Sequence, residues 1–257
     1  MWRGSTVFTG IYRYSHSMLS KGIRKRLARA IIIDRATPGS ISIIGRVARE
    51  RTEENYRFAS RLVGGKAVLD IGGGAGIGHD LLLAGGAASI LSLDRHLAST
   101  AQHGDGRVRS VRGDFLTHPF PAGQFDIVIC LGTLFYLDDT DAALAKMHRL
   151  LKPGGTLVIN CLNQRLVRRY FGMPLEEIDE KFSTAYDEPG LRAFLKNRFD
   201  TEPKLYVQQP VPVSHSLSDT LRFWLIPLIW PLRRHPVVPR TPGTEGMYVY
   251  AVVNKSD

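Results

Sequence analysis

The sequence predicts an α/β protein built on a parallel, doubly wound sheet. Three observations carry this. Short apolar runs that read as strands alternate with helical patterns between Lys66 and Cys161. The first run ends in an acid and then crowded glycines, Val68-Leu69-Asp70-Ile71-Gly72-Gly73-Gly74-Ala75-Gly76-Ile77-Gly78. A tight turn, Lys152-Pro153-Gly154-Gly155, leads into the last apolar run of the series. A chain of 257 residues with 44% hydrophobic content can bury one large core.

Each element follows from local pattern. Ile23, Leu27, Ala30 and Ile31 recur at roughly helical spacing and predict a helix over residues 21–33, ended by Pro38-Gly39. A second helix is expected over residues 43–62, stopped by Gly64-Gly65. Strands are expected over residues 66–71, 89–93, 108–111, 125–130 and 156–161, with a helix over residues 77–84 between the first two. Ala143, Leu144, Met147 and Leu150 share one face of a helix over residues 139–150. Beyond the fifth strand, a helix is expected over residues 188–196 and strands over residues 204–209 and 247–253. Residues 210–245 are rich in proline and aromatics and read as an insertion. The division is therefore a basic helical N-terminal extension, residues 1–63, and a domain over residues 64–257.

The glycine-rich turn lies at the carboxyl end of a strand, where open α/β sheets bind nucleotide-like ligands. Glycine lets the backbone turn sharply and approach a ligand closely. No glycines stand at i, i+2 and i+5, so a dinucleotide fingerprint is absent, and no Gly-Lys-Ser/Thr follows to make a P-loop. The pattern is Asp70-x-Gly72-x-Gly74-x-Gly76, and a ligand-free βα turn is the plain alternative.

Composition narrows the class further. Cys130 and Cys161 both end apolar runs and read as buried, reduced thiols of a cytoplasmic protein. No stretch reaches the roughly 18 apolar residues of a membrane span, and no secretory signal is expected at the N-terminus. The net charge is +10, and residues 1–60 hold twelve Lys and Arg against four acids. Such an arm suits an anionic lipid surface, a phosphorylated substrate or RNA, or is simply a solvated helix face.

Asp70-x-Gly72-x-Gly74-x-Gly76 resembles motif I of class I S-adenosylmethionine (SAM)-dependent methyltransferases. Further segments match that family in order. Leu91-Ser92-Leu93-Asp94 ends a strand in an acid, followed by Arg95. Gly113-Asp114-Phe115 follows the third strand. Phe125-Asp126-Ile127-Val128-Ile129-Cys130-Leu131 looks like motif IV, and Arg149-Leu150-Leu151-Lys152-Pro153-Gly154-Gly155-Thr156-Leu157 resembles the signature before the fifth strand. The resemblance covers residues 66–161. It implies a Rossmann-like seven-stranded sheet of order 3-2-1-4-5-7-6 with strand 7 antiparallel, and an insertion between strands 6 and 7. It also implies a SAM site, with S-adenosylhomocysteine as product, formed by Asp70, Gly72, Gly74, Gly76, Asp94, Arg95, Asp114, Phe115 and Leu131. Asp94 would take the ribose hydroxyls, Asp114 the adenine amino group, and Phe115 would pack on the ring. As simpler alternatives, Asp94 is a helix N-cap and Asp114 a turn acid.

The acceptor side is built from residues the family does not fix. Tyr136 stands where many small-molecule methyltransferases carry a histidine, and a phenol with a pKa near 10 is a poor base unless perturbed. His215, in the insertion, is the other candidate base; no metal set is evident. The stretch from Leu221 to Leu232 is the most apolar in the chain, with Trp224, Trp230 and flanking Arg233-Arg234. It reads as a lid over the pocket or as an interfacial segment. The expected activity is methyl transfer to a small-molecule, lipid-linked or glycan-type acceptor. An anionic membrane surface is a candidate partner. The alternatives are a nucleic-acid methyltransferase, which motif IV disfavours because it lacks Asn/Asp-Pro-Pro-Tyr/Phe, and a non-catalytic SAM-fold partner protein.

Overall fold

The structure is a computed structural model that describes residues 20–29, 43–97, 101–103, 106–180, 186–212, 236–241 and 244–256. His215, residues 221–232 and the first 19 residues, on which several expectations rest, lie outside this set.

Among the described residues nine strands form one sheet: β1 (Ala67–Ile71), β2 (Ser89–Asp94), β3 (Ala101–His103), β4 (Val108–Arg112), β5 (Phe125–Cys130), β6 (Leu151–Leu162), β7 (Lys204–Pro212), β8 (Val238–Pro239) and β9 (Thr244–Asn254). Their order is β3-β4-β2-β1-β5-β6-β9-β7-β8. β4, β2, β1, β5 and β6 run parallel, and β9 lies antiparallel between β6 and β7. With the two edge strands set aside, this is the expected 3-2-1-4-5-7-6 order with strand 7 antiparallel. The count of seven is corrected to nine. β3 is a three-residue strand paired antiparallel to β4, and β8 a two-residue strand paired to β7. Neither is long enough to show an alternating pattern; both are defined by their pairing.

β1 is buried over Val68–Ile71 because it has a parallel neighbour on each side and helices on both faces. Chain order reverses here, with β2 to one side and β5 to the other, which opens a crevice at the strands' carboxyl ends. β6 begins earlier than expected. Its register against β5 moves from Phe125↔Leu151 to Ile127↔Thr156, so the Lys-Pro-Gly-Gly turn bulges out of an otherwise continuous strand. Lys152 Nζ lies 2.7 Å from Asp126 Oδ1, whose other oxygen accepts from the Ala67 N–H at 2.8 Å. The turn is thus tied to the start of β1.

Among the described residues seven α-helices surround the sheet: α1 (Lys21–Ala28), α2 (Ile43–Ser60), α3 (His79–Ala84), α4 (Thr140–Leu150), α5 (Gln164–Phe171), α6 (Leu175–Ile178) and α7 (Glu188–Phe199). Side-chain caps mark several starts. Asp139 accepts from Ala142 N–H at 2.9 Å to begin α4, and Asp187 accepts from Gly190 N–H at 2.9 Å to begin α7. α5 and α6 were not anticipated. Asn163 caps α5, which ends at Gly172 with φ 65°.

The basic extension is docked rather than free over its described part. Lys21 pairs with Glu177 at 2.6 Å and Arg29 with Asp179 at 3.3 Å, which join α1 to the α6 region. Arg49 pairs with Glu53, and Arg57 with Glu53 and Glu54. These four basic residues therefore carry local acid partners. No described helix is long and apolar enough to cross a membrane. Both cysteines are buried free thiols; burial pushes Cys161 up to about 12 and Cys130 further.

α2 is anchored to the antiparallel end of the sheet. Phe58 packs on Tyr206 and Tyr250 at ring separations of 4.8 and 5.7 Å. The fully buried Tyr250 hydroxyl lies 2.5 Å from Asn55 Oδ1 and 2.7 Å from Gln208 Oε1. Tyr250→Phe removes the hydroxyl from buried amides at little change in volume. It is expected to destabilise the fold by about 1–3 kcal/mol. Urea denaturation measures this, and an unchanged midpoint would show that the hydroxyl does not join α2 to the sheet.

Candidate active site

A cavity of about 590 Å³ opens at the carboxyl ends of the parallel strands. Its first wall is the turn after β1. Gly72 has φ 77°, and a Cβ there would stand 2.1 Å from Thr133 Oγ1, so both conformation and space require glycine. Gly74 has φ 57°, and its N–H donates to Asp94 Oδ2 at 2.9 Å. Asp94 Oδ1 accepts from the His96 N–H at 2.7 Å. The carboxylate ending β2 is therefore clamped between the glycine turn and its own following turn. Two oxygens offer about four lone-pair sites, and these two bonds leave acceptor capacity on each.

The end of β4 supplies the next wall. Asp114 Oδ1 accepts from the Leu116 N–H at 2.8 Å, and its Oδ2 takes the Arg95 guanidinium. Arg95 also reaches Asp138 Oδ2 at 3.4 Å. Partial burial raises the Asp114 carboxyl, but hydrogen bonds from Arg95 and Leu116 together with the Arg95 charge outweigh it and hold the group below its usual range. Phe115 lines the cavity and is nearly buried.

The structure brings Gly72, Gly74, Asp94, Arg95, Asp114, Phe115, Leu131 and Tyr136 to one cavity. It does not bring Asp70 or Gly76 to the wall. Asp70 is fully buried under the turn, where Tyr56 Oη lies 2.9 and 3.1 Å from its two oxygens. Asp70, expected as a direct cofactor contact, thus lies behind the turn rather than on the cavity wall. Gly76 also sits away from the wall, and a Cβ there would meet the His79 ring at 2.7 Å. His96 lines the cavity, His118 packs at a tilt against Phe120 and His148 packs edge-on against Phe199.

Sequence reasoning missed the far wall. Arg51, Thr52, Asn55 and Tyr56 reach the cavity from α2, Asn160 from β6 and Tyr248 from β9. Asn160 Oδ1 accepts from the Gly132 N–H at 2.6 Å, fixing the loop after β5. A signal for Asn160 did exist: it is the one amide within the apolar run Leu157–Leu162. Tyr248 carried no such mark. On α2, the cavity face at 51, 52, 55 and 56 was obscured by the charged residues among which it lies.

The donor set fits SAM. A carboxylate with spare acceptor capacity suits a ribose diol, glycine backbone permits close approach, and Phe115 and Leu97 offer apolar surface to an adenine ring. Comparisons with known proteins agree. Residues 69–159 match a family model described as a methyltransferase domain. This segment is a SAM-dependent methyltransferase domain. The chain is 34% identical over 108 residues to a ubiquinone biosynthesis O-methyltransferase of Pseudomonas aeruginosa, covering 39% of this chain and 46% of that protein. It is 29% identical over 170 residues to a demethylmenaquinone methyltransferase of Mycobacterium marinum, covering 65% and 64%. The chain thus spans about half the length of the curated relatives it matches first. A Thermotoga maritima structure described as a SAM-dependent methyltransferase, possible histamine N-methyltransferase, has a TM-score of 0.57 at 18% identity, covering 82% of this chain and 92% of that one. A SAM-dependent methyltransferase from Archaeoglobus fulgidus has a TM-score of 0.54 at 16% identity, covering 80% and 94%. These two similarities bear on the fold.

Two outcomes follow from this geometry. Asp94→Ala removes the clamped carboxylate and should weaken SAM binding by about 1–3 kcal/mol, measured by calorimetry. Equal affinity in two folded proteins would remove Asp94 from the site. Burial, set against the Tyr56 hydrogen bond, together with the nearby Asp94 charge, raises Asp70 from 3.8 to about 7. Between those values the folded state holds a proton that the unfolded chain has released. Stability attributable to Asp70 therefore falls as pH rises from about 4 to about 7, by up to about 1.4 kcal/mol per pH unit, and is flat above. The difference between wild type and Asp70→Asn in urea melts over this range should show that slope; parallel curves would contradict it.

Proposed function

We propose that the protein transfers a methyl group from SAM to a small-molecule acceptor. The observation that carries this is one cavity with two unlike halves. One half, from the glycine turn to Phe115, has the features a nucleoside needs. The other, formed by α2, Tyr136, Asn160 and Tyr248, has space and polar contacts for a second molecule.

When bound, SAM supplies a methyl group already activated on a sulfonium. The chain's task is to hold the acceptor atom in line with that methyl and to keep water out. Orientation of this kind is worth on the order of 7–11 kcal/mol. Gly72 and Thr133 set the closeness of the two βα turns at the centre of the cavity. Phe135 and Tyr136 wall the cavity beside them, their rings 4.7 Å apart. In this reading Tyr136 contacts the acceptor as a hydrogen-bonding wall, and His215 is a candidate base from the insertion.

The relatives' names favour an aromatic, lipid-linked acceptor of quinone-precursor type over a glycan. A cytoplasmic protein that visits an anionic membrane surface suits such an acceptor. The apolar segment 221–232 and the charge of residues 1–19 support this, while the ion pairs of Lys21 and Arg29 remove those two from the available charge. The same pairing weighs against a nucleic-acid substrate.

The test uses methyl-labelled SAM with short-chain hydroxyquinols, single-stranded RNA and vesicles. Label should pass to the quinol and not to RNA, and NADH should not compete with SAM. Flotation on liposomes should require anionic lipid at low salt. Label in RNA alone would overturn the small-molecule reading, and failure to float at low salt would overturn the membrane association.

A further inference from the structure

We infer that Lys146 of α4, which does not line the cavity, is the positioning residue for the cofactor's adenine: it holds the loop after β4 in the shape that presents Asp114 and Phe115. This rests on the methyl-transfer reading and deepens its cofactor half. The loop over residues 113–120 contains no helix or strand, so its backbone polar groups need partners of another kind. Its N–H groups are met from within. Asp114 Oδ1 accepts from the Leu116 N–H at 2.8 Å and the Thr117 N–H at 3.4 Å, and the His118 N–H donates to the Asp114 carbonyl at 2.8 Å. Two of its carbonyls are met from outside. Lys146 Nζ donates to Leu116 O at 3.0 Å and to His118 O at 2.6 Å. Asp114 thus gathers the donors of the turn, and Lys146 gathers acceptors on either side of Thr117.

Lys146 is itself fixed. It stands on α4 between Ala143 and Met147, both fully buried, and is partly buried with them. A lysine stem can lie along apolar surface while its head reaches polar groups. Here the head also lies over two rings, 5.2 Å from the centroid of Phe115 and 5.7 Å from that of Phe120. A cation within about 6 Å of a ring centroid is attracted to its face. Phe115 lines the cavity and Lys146 does not, so the ring offered to adenine is held from the protein side. Burial and the Arg149 charge lower the pKa of Lys146, against the Asp114 charge. Removing an ammonium from water is costly unless other groups replace its hydration, and the two carbonyls and two rings do so here.

Arg95 also holds this loop, but differently. It pairs with the Asp114 side chain, its own side chain is 46% exposed, and such a pair is screened by water and salt. Lys146 holds the backbone itself from the less exposed side. Phe115 sits between Asp114 and Leu116, so its ring follows when the Leu116 carbonyl turns. Without the ammonium, the carbonyls of Leu116 and His118 must seek water, and both Phe115 and Asp114 lose their fixed places. Lys146 acts through these two residues and not on the cofactor directly. This separates it from a lysine that only stabilises the fold. A purely structural lysine changes the urea midpoint and leaves the affinity of the folded protein alone. A positioning lysine changes that affinity, and by the same factor for every ligand that carries the adenosine part.

The experiment titrates the full chain calorimetrically with S-adenosylhomocysteine and with 5′-methylthioadenosine, which keeps the adenosine part and lacks the amino-acid part. Lys146→Met keeps an apolar stem and removes the donors and the charge. It should weaken both ligands equally, by about fivefold or more, the scale of a lost hydrogen bond to a charged group. Lys146→Arg should recover part of the loss, since a guanidinium can still donate to carbonyls. Unchanged affinity in folded Lys146→Met, or a loss for S-adenosylhomocysteine that spares methylthioadenosine, would overturn the inference. Hydrogen exchange in cofactor-free wild type needs no variant. The Leu116, Thr117 and His118 amides should exchange slowly, and exchange as fast as in an unstructured chain would overturn the inference as well. Failure of wild type to bind S-adenosylhomocysteine at all would instead overturn the methyl-transfer reading.

Discussion

The contact between Tyr56 and Asp70 is the one on which the site depends. A carboxylate with no exposure at the end of a central strand must find a donor inside the protein. The donor here is not on the sheet. It is a phenol on α2, fourteen positions earlier, facing both carboxylate oxygens. Burial raises the carboxyl to about 7 and the phenol well above its ordinary range, so near neutrality the pair is shared between a charged and a neutral form. The Tyr56 ring also fills the space beside the glycine turn. A Cβ at Gly78 would stand 2.2 Å from it. The turn that shapes the cofactor half is therefore packed from behind by the helix that builds the acceptor half.

A second tie works from the other end. Gly132 is fixed by Asn160, and Asn160 hydrogen-bonds Tyr250, whose hydroxyl reaches Asn55 of α2. The loop after β5, the buried face of the antiparallel strands and α2 thus form one polar chain through an apolar core. The Tyr250 hydroxyl has one proton, and both Asn55 Oδ1 and Gln208 Oε1 lie within hydrogen-bonding distance of it. The consequence is geometric. α2 is held at Tyr56 by β1 and at Asn55 by β9, so Arg51, one turn earlier on the same face, has a defined position over Tyr248.

The parallel half of the fold was legible because its signals are local. A buried strand must read as an apolar run, and a turn at positive φ must read as glycine. Val68–Ile71 and Phe125–Cys130 were therefore placed to within a residue, and Asp94 and Asp114 were found because they end or follow such runs. What could not be read was set by pairing and by long-range contact. β3 and β8 are strands only because a neighbour hydrogen-bonds them. Asp70 looked like a ligand contact because its position after an apolar run is shared with Asp94, yet Tyr56 covers one and the cavity opens over the other. Nothing within the sequence near residue 70 announces that difference. Helix α2 is amphipathic in the ordinary sense, and its cavity face carries Arg, Thr, Asn and Tyr, which no periodicity separates from residues facing solvent.

The division of the cavity follows from that same contrast. The cofactor half comes from consecutive βα turns, where the backbone itself makes the shape and the acids project from strand ends. The acceptor half comes from segments far apart in the chain, α2, β6 and β9, held together by buried hydrogen bonds. Asp94 and Asp114 stand on the first because strand ends and following turns favour Asp, whose carboxylates bond the N–H groups there, and Arg95 lies beside them on Asp114. The positive charge on the second needs another support, which the aromatic face of Tyr248 supplies by attracting a guanidinium that a bare apolar wall would not.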